Sequence, residues 1–151
     1  MKKLTTTLGV FGLAAAALAT PPVAEARTVL ALAGAPAVNS ESSCYGGGSW
    51  GSVLRNASSG CPAITTYWWS LPIDNAGSKL VTITGLGPAS CQAVSQNGTH
   101  TAASIGALSS FSSASSYVDI TSTATVVGGG FLYAQCNVQA TAEITRVNWP
   151  Q

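Results

Sequence analysis

Residues 44–52 read Cys-Tyr-Gly-Gly-Gly-Ser-Trp-Gly-Ser, and two chemistry-bearing patterns overlap there. Gly47, Ser49 and Gly51 satisfy G-x-S-x-G, the elbow that presents a nucleophilic serine, and Asp74 and His100 follow in the chain order such a triad uses. Gly46, Gly48 and Gly51 satisfy G-x-G-x-x-G, whose glycines let a backbone approach a pyrophosphate. Both patterns work only between a strand and a helix, because the helix N-terminus receives the anion or supports the elbow. Downstream of these glycines, Ser52-Val53-Leu54-Arg55-Asn56 reads as a strand rather than a helix. In a chain with 16 glycines such matches arise by chance. No nucleotide cofactor is expected, and a small extracellular hydrolase is the weakest functional reading.

The remaining polar candidates are sparse. His100 is the only histidine and follows the turn pair Asn97-Gly98, where a solvated side chain needs no chemical role. Asp119 and Glu143 lie in expected strands and could face each other across a sheet, as a glycosidase requires, but with four acids beyond residue 26 any pair looks plausible, and solvated faces or isolated salt bridges are the favoured reading. Asp74-Asn75-Ala76-Gly77 lacks the repeated oxygen ligands of a calcium loop and reads as a turn. No catalytic residue, metal or cofactor is expected. The aromatic residues are more informative. Tyr67-Trp68-Trp69 falls in one expected strand, where side chains alternate, so Trp68 points away from Tyr67 and Trp69. One side of that strand is core. An exposed aromatic on the other could stack on a sugar ring, making Trp50, Tyr67, Trp68 and Trp69 the candidate ligand-binding set, with Tyr117 or Tyr133 as companions.

The elements that would position these residues are strands. After residue 26 no stretch sustains a 3.6-residue apolar period, and Gly, Ser and Thr punctuate the chain every few residues. Lys79–Thr84 alternates Val81 and Ile83 with threonines. Cys91–Ser95 runs into Asn97-Gly98, a hairpin signal for a type I′ turn, with a return strand expected over Thr99–Ile105. Tyr117–Thr121 directs Val118 and Ile120 inward, and Ser109–Ser116 reads as a loop. Beyond Gly128-Gly129-Gly130, Leu132, Ala134, Cys136 and Val138 share one face, with Phe131, Tyr133, Gln135 and Asn137 on the other. A last strand runs from Thr141 to Trp149, where Pro150 should end pairing. With Gly51–Ala57 and Ile64–Leu71, about seven or eight short strands make an all-β, antiparallel β-sandwich of immunoglobulin-like or jelly-roll type.

Bulk properties say where such a protein works. Lys2 and Lys3, an alanine-rich apolar run to Ala19, Thr20-Pro21-Pro22 and Ala24-Glu25-Ala26 have the form of a secretory signal peptide cleaved after Ala26. Ala31-Leu32-Ala33 is a second small-residue site. The chain thus divides into three regions: residues 1–26 as signal peptide, 27–43 as an extended N-terminal segment, and 44–151 as the β-sandwich domain. Beyond residue 26, Arg27, Arg55, Lys79 and Arg146 balance Glu41, Asp74, Asp119 and Glu143. Zero net charge excludes the basic footprint that nucleic acid demands and gives no electrostatic hold on a membrane surface. No membrane span is expected once the signal is removed. With 7% charged residues the surface must be largely Ser, Thr, Gly, Asn and Gln, which leaves self-association poorly opposed.

Cys44, Cys61, Cys91 and Cys136 fit two disulfides in an oxidising compartment, and none has metal-site spacing. Three pairings are formally open. The sequential one, Cys44–Cys61 with Cys91–Cys136, is expected because it staples the Gly-rich segment and bridges two apolar strands.

Several segments together resemble a loose set of uncharacterised small secreted four-cysteine proteins of bacteria such as myxobacteria. They are Cys44, Gly51-Ser52-Val53-Leu54-Arg55-Asn56, Cys61-Pro62, the strand before Cys91, Leu132-Tyr133-Ala134-Gln135-Cys136 and Ile144-Thr145-Arg146-Val147. The resemblance implies a β-sandwich with two disulfides and brings no activity with it. Tyr67-Trp68-Trp69 departs from that pattern. The expectation is therefore a secreted, periplasmic or cell-surface protein without catalytic function. It would act on polysaccharide or cell-surface components as a binding module, or alternatively as a structural, fimbria-like subunit.

Overall fold

The computed structural model describes residues 26–48, 51–57, 60–99 and 101–150. The segment expected to be a signal peptide, up to Glu25, lies outside them, as do Ser49, Trp50 and His100. Twelve strands occur among the described residues, and the longer ones follow the apolar alternation. In chain order the first six are β1 (Ala26–Leu30), β2 (Ala35–Pro36), β3 (Tyr45–Gly47), β4 (Val53–Arg55), β5 (Ile64–Leu71) and β6 (Gly77–Leu86). They are followed by β7 (Ala89–Gln96), β8 (Ala102–Ile105), β9 (Ser109–Ser110), β10 (Val118–Val126), β11 (Phe131–Gln139) and β12 (Glu143–Pro150). Every pairing is antiparallel.

Two sheets pack face to face. Layer A runs β10-β6-β12-β4-β3, with β1 also on β12; layer B runs β2-β5-β11-β7-β8, with β9 also on β7. From β4 onward the chain passes between layers at most connections, leaving β7, β8 and the short β9 consecutive within layer B. Orders β4-β12-β6-β10 and β5-β11-β7-β8 are the winding of an eight-stranded jelly roll, which decides between the two sandwich types expected. The core forms where the inward faces meet: Trp69, Val81, Ile83, Ala134, Val138, Ile144 and Val147 are fully buried. Cys44–Cys61 and Cys91–Cys136 are the disulfides. Cys91 and Cys136 stand directly opposite each other on β7 and β11, with Cα atoms 4.0 Å apart.

Four local expectations are corrected. Neither Asn97 nor Gly98 takes positive φ, so the β7–β8 connection is not a type I′ turn. Instead Asn97 Oδ1 accepts from the Thr99 and Thr101 backbone N–H groups, and Asn97 N donates to Thr101 O, which makes a wider loop closed by one side chain. Within the expected loop Ser109–Ser116, Ser109 and Ser110 pair with Cys91 and Ser90 as β9. The last strand starts at Glu143, two residues later than expected, because Thr141 sits in the left-handed region at φ 71°. Pro150 does not end pairing: it stands opposite Ala26 on the edge strand. The residues 27–43 add β1 to one layer and β2 to the other, and Ala31 is fully buried in the core.

Candidate functional site

Strand β5 divides its aromatics between the two faces of layer B. Thr65, Tyr67, Trp69 and Leu71 turn inward, and Thr66, Trp68 and Ser70 turn outward. Buried Tyr and Trp need partners for their polar tips. Tyr67 Oη donates to Gly34 O at 2.8 Å, and Trp69 Nε1 donates to Ala31 O at 2.8 Å. These two bonds tie residues 31–34 to the edge of the layer. Gly34 fits only because it lacks a Cβ, which would lie 2.4 Å from Tyr67 Cε1 and 2.6 Å from Trp68 O. Ala35 and Pro36 then pair with Trp68 and Tyr67 as β2.

The tied segment becomes one wall of a cleft on the outer face of layer B. Its volume is about 570 Å³; residues 33–37 form the wall, and Trp68, Ser70, Tyr133 and Gln96 complete the lining. Trp68 and Tyr133 meet edge to face, with ring centroids 5.9 Å apart and planes at 81°. Beyond them the face continues in amides and hydroxyls. Trp68 stands opposite Gln135, and Gln135 opposite Gln92; Gln92 Nε2 donates to Gln135 Oε1 at 3.1 Å. Thr66 Oγ1 donates to Asn137 Oδ1 at 3.1 Å. No strand of layer B contains Asp, Glu, Lys or Arg. An aromatic floor bordered by neutral groups that both donate and accept is suited to a flat, hydroxylated, uncharged partner.

The sequence-derived set is thus split. Trp68 faces the cleft with Tyr133 as its companion. Tyr67 and Trp69 are 5% and 0% exposed and so cannot touch a ligand; they belong to the core and hold the wall in place. Trp50 lies outside the described residues. Tyr117 immediately precedes β10 of layer A, away from this face. The wall at residues 33–37 is absent from the sequence-derived set, since its Ala-Gly-Ala-Pro-Ala composition carries no functional signature.

The other candidates are engaged elsewhere. Asp74 forms an ion pair with Arg27 at 2.9 Å. Asp119 accepts from Thr84, whose hydroxyl also accepts from Arg146 Nε. Glu143 accepts from Ser52 and interacts with Tyr117. Strand β6 separates β10 from β12, so Asp119 and Glu143 do not form the facing pair that a glycosidase would need. Burial and then the Glu143 carboxylate hold the Tyr117 phenol above the ordinary tyrosine pKa. Burial does the same for Tyr45 and Tyr67, although at Tyr45 the Thr65 hydrogen bond and Arg55 partly oppose it.

Arg55, 2% exposed, donates to Thr65 Oγ1 and to the carbonyls of Asn56 and Pro62 beside the Cys44–Cys61 staple. Its role is therefore to hold that loop. No group of three or more metal-ligating side chains occurs among the described residues, and no helix among them is long and apolar enough to cross a membrane.

Fold and face together define a class: a disulfide-stapled jelly-roll module with an aromatic-floored cleft on a sheet face. The chain is similar in fold to the C-terminal CBM6 of LamC, a marine laminarinase from Zobellia galactanivorans. The TM-score is 0.55 at 9% identity, covering 84% of this chain and all of that one. It also matches the carbohydrate-binding module CBM6cm-2 of Cellvibrio mixtus lichenase 5A, solved in complex with cellotriose, with a TM-score of 0.46 at 11% identity over 83% of this chain and 96% of that one. No protein-family model and no curated protein matches the sequence.

Proposed function

We propose that the protein is a non-catalytic carbohydrate-binding module working outside the cytoplasm, and that polysaccharide is bound in the cleft on the outer face of layer B. The observation that carries this reading is the Trp68–Tyr133 pair at the cleft floor. Ser70 and Gln96 share the cleft with Trp68, and Gln135 stands opposite Trp68 on β11, so polar groups border a pyranose ring stacked there. The fold it shares with the LamC module agrees with this reading, and so do two disulfides, which persist in oxidising compartments. Affinity electrophoresis through gels cast with individual polysaccharides tests it. At least one should retard the protein, and Trp68→Ala should abolish the retardation; failure of every polysaccharide, or full retention by the variant, would sink the proposal.

The fimbria-like alternative needs an edge strand open to a partner's strand. Edge strand β10 does not offer one. Ser109 Oγ donates to Thr121 O, and Ser104 Oγ accepts from Thr125 N, so the segment 104–109 occupies backbone groups that an added strand would use.

A further inference from the structure

We infer that the ligand of this cleft is an uncharged polysaccharide, selected against both anionic and cationic glycans; the inference rests on the binding reading above. The asymmetry of charge between the two layers motivates it. The acids and bases of the described strands, Arg27, Arg55, Lys79, Asp119, Glu143 and Arg146, all lie in layer A, and layer B has none. The wall at residues 33–37 is equally neutral.

A uronate carboxylate or a sulfate placed on Trp68 would lose part of its hydration and meet no cation from the described strands of layer B or from residues 33–37. An amino sugar's ammonium would likewise meet no carboxylate from those strands or that wall. Partial loss of hydration without a compensating partner disfavours either kind of ligand against a neutral one. A hydroxyl both donates and accepts, and so does a side-chain amide. The Gln92–Gln135 bond uses one donor of Gln92 and engages the Gln135 oxygen, leaving the Gln135 amide N–H groups and the Gln92 oxygen for ligand hydroxyls. A carboxylate or sulfate only accepts, so it would satisfy the donors and leave that oxygen unmatched. The register from Ala35 through Trp68 and Gln135 to Gln92 sets this surface across four adjacent strands. At roughly 4.8 Å between strands it extends well beyond a single sugar ring.

The test is isothermal titration of the protein against three soluble sets: neutral glucans, mannans and xylans; polygalacturonate, alginate and a sulfated galactan; and chitosan oligomers. Binding is expected from the neutral set alone, with Kd changing less than about twofold between 50 and 500 mM NaCl, because no ion pair is there to be screened. Gln135→Ala should weaken that binding by about three- to tenfold, the worth of one neutral hydrogen bond. An unchanged urea midpoint in the variant shows that the fold is intact. Binding of the anionic or cationic set that Trp68→Ala abolishes would overturn the neutrality inference and leave the site standing. Binding of any set that survives Trp68→Ala would overturn both, as would no binding at all.

Discussion

Adjacent tryptophans on β5 should fail in opposite ways when removed. Trp69 is fully buried, and its indole N–H satisfies Ala31 O. Trp69→Ala removes a core side chain, at about 3–5 kcal/mol, and orphans a buried carbonyl at about 1–3 kcal/mol more. Against a total stability of about 5–15 kcal/mol this should leave the domain barely folded. Trp69→Phe keeps most of the volume and isolates the second term. Trp68 is half-buried on the outer face, and its main protein partner is Tyr133. Trp68→Ala should therefore cost only about 0.5–1.5 kcal/mol.

Urea unfolding followed by far-UV circular dichroism resolves the difference. With m of about 1–3 kcal/mol/M, the midpoint should fall by about 2 M or more for Trp69→Ala and by well under 1 M for Trp68→Ala. Glycan affinity should run the other way for Trp68→Ala, which keeps its fold and loses its ligand. Trp69→Phe should show a third pattern, folded but weakened in binding, because the residue that anchors the cleft wall never touches the sugar. If Trp68→Ala unfolded the protein while Trp69→Ala left the midpoint in place, the assignment of faces along β5 would be inverted and the cleft would be on the wrong side.

Three further outcomes are expected. Replacing Cys91 and Cys136 by alanine should lower stability by about 4 kcal/mol and replacing Cys44 and Cys61 by about 3 kcal/mol, as loops of 45 and 17 residues imply, and denaturant midpoints of the two double variants should rank in that order. A chain beginning at Arg27 should fold, whereas one beginning at Gly34 loses all five β1–β12 pairs and the Ala31 acceptor of Trp69 and should be recovered only as aggregate; mass spectrometry of the protein after expression of the full sequence should accordingly give Arg27, and not Gly34, as its first residue. Tyr45, Tyr67 and Tyr117 have phenol pKa values raised by folding, so their neutral forms are favoured in the native state. That contribution is complete below the unfolded value of about 10 and is lost as pH rises through the folded values, so the urea midpoint should hold steady up to about pH 9 and fall beyond 10; a midpoint that rose above pH 10 would contradict it.

Legibility in the sequence follows the range of the interactions concerned. Strand β5 has the bounds that its pattern predicts, Ile64 and Leu71, and the two faces of β11 sort as expected, because an alternating pattern is local. The cysteine pairing is legible for a related reason, since Cys91 and Cys136 sit at matched inward positions of strands that become neighbours. Alternation also separates Trp68 from Tyr67 and Trp69, but it does not say which side is core. That choice depends on where the polar tips of Tyr67 and Trp69 find acceptors. The acceptors are backbone carbonyls at Gly34 and Ala31, over thirty residues upstream in a segment whose sequence reads as an extended lead-in. A carbonyl leaves no mark in a sequence, and Gly34 is marked only by what it lacks. The same two hydrogen bonds that put Trp69 in the core build the wall facing Trp68. The cleft face and the core are therefore one structural solution, and a substitution that loosens either should be felt in both.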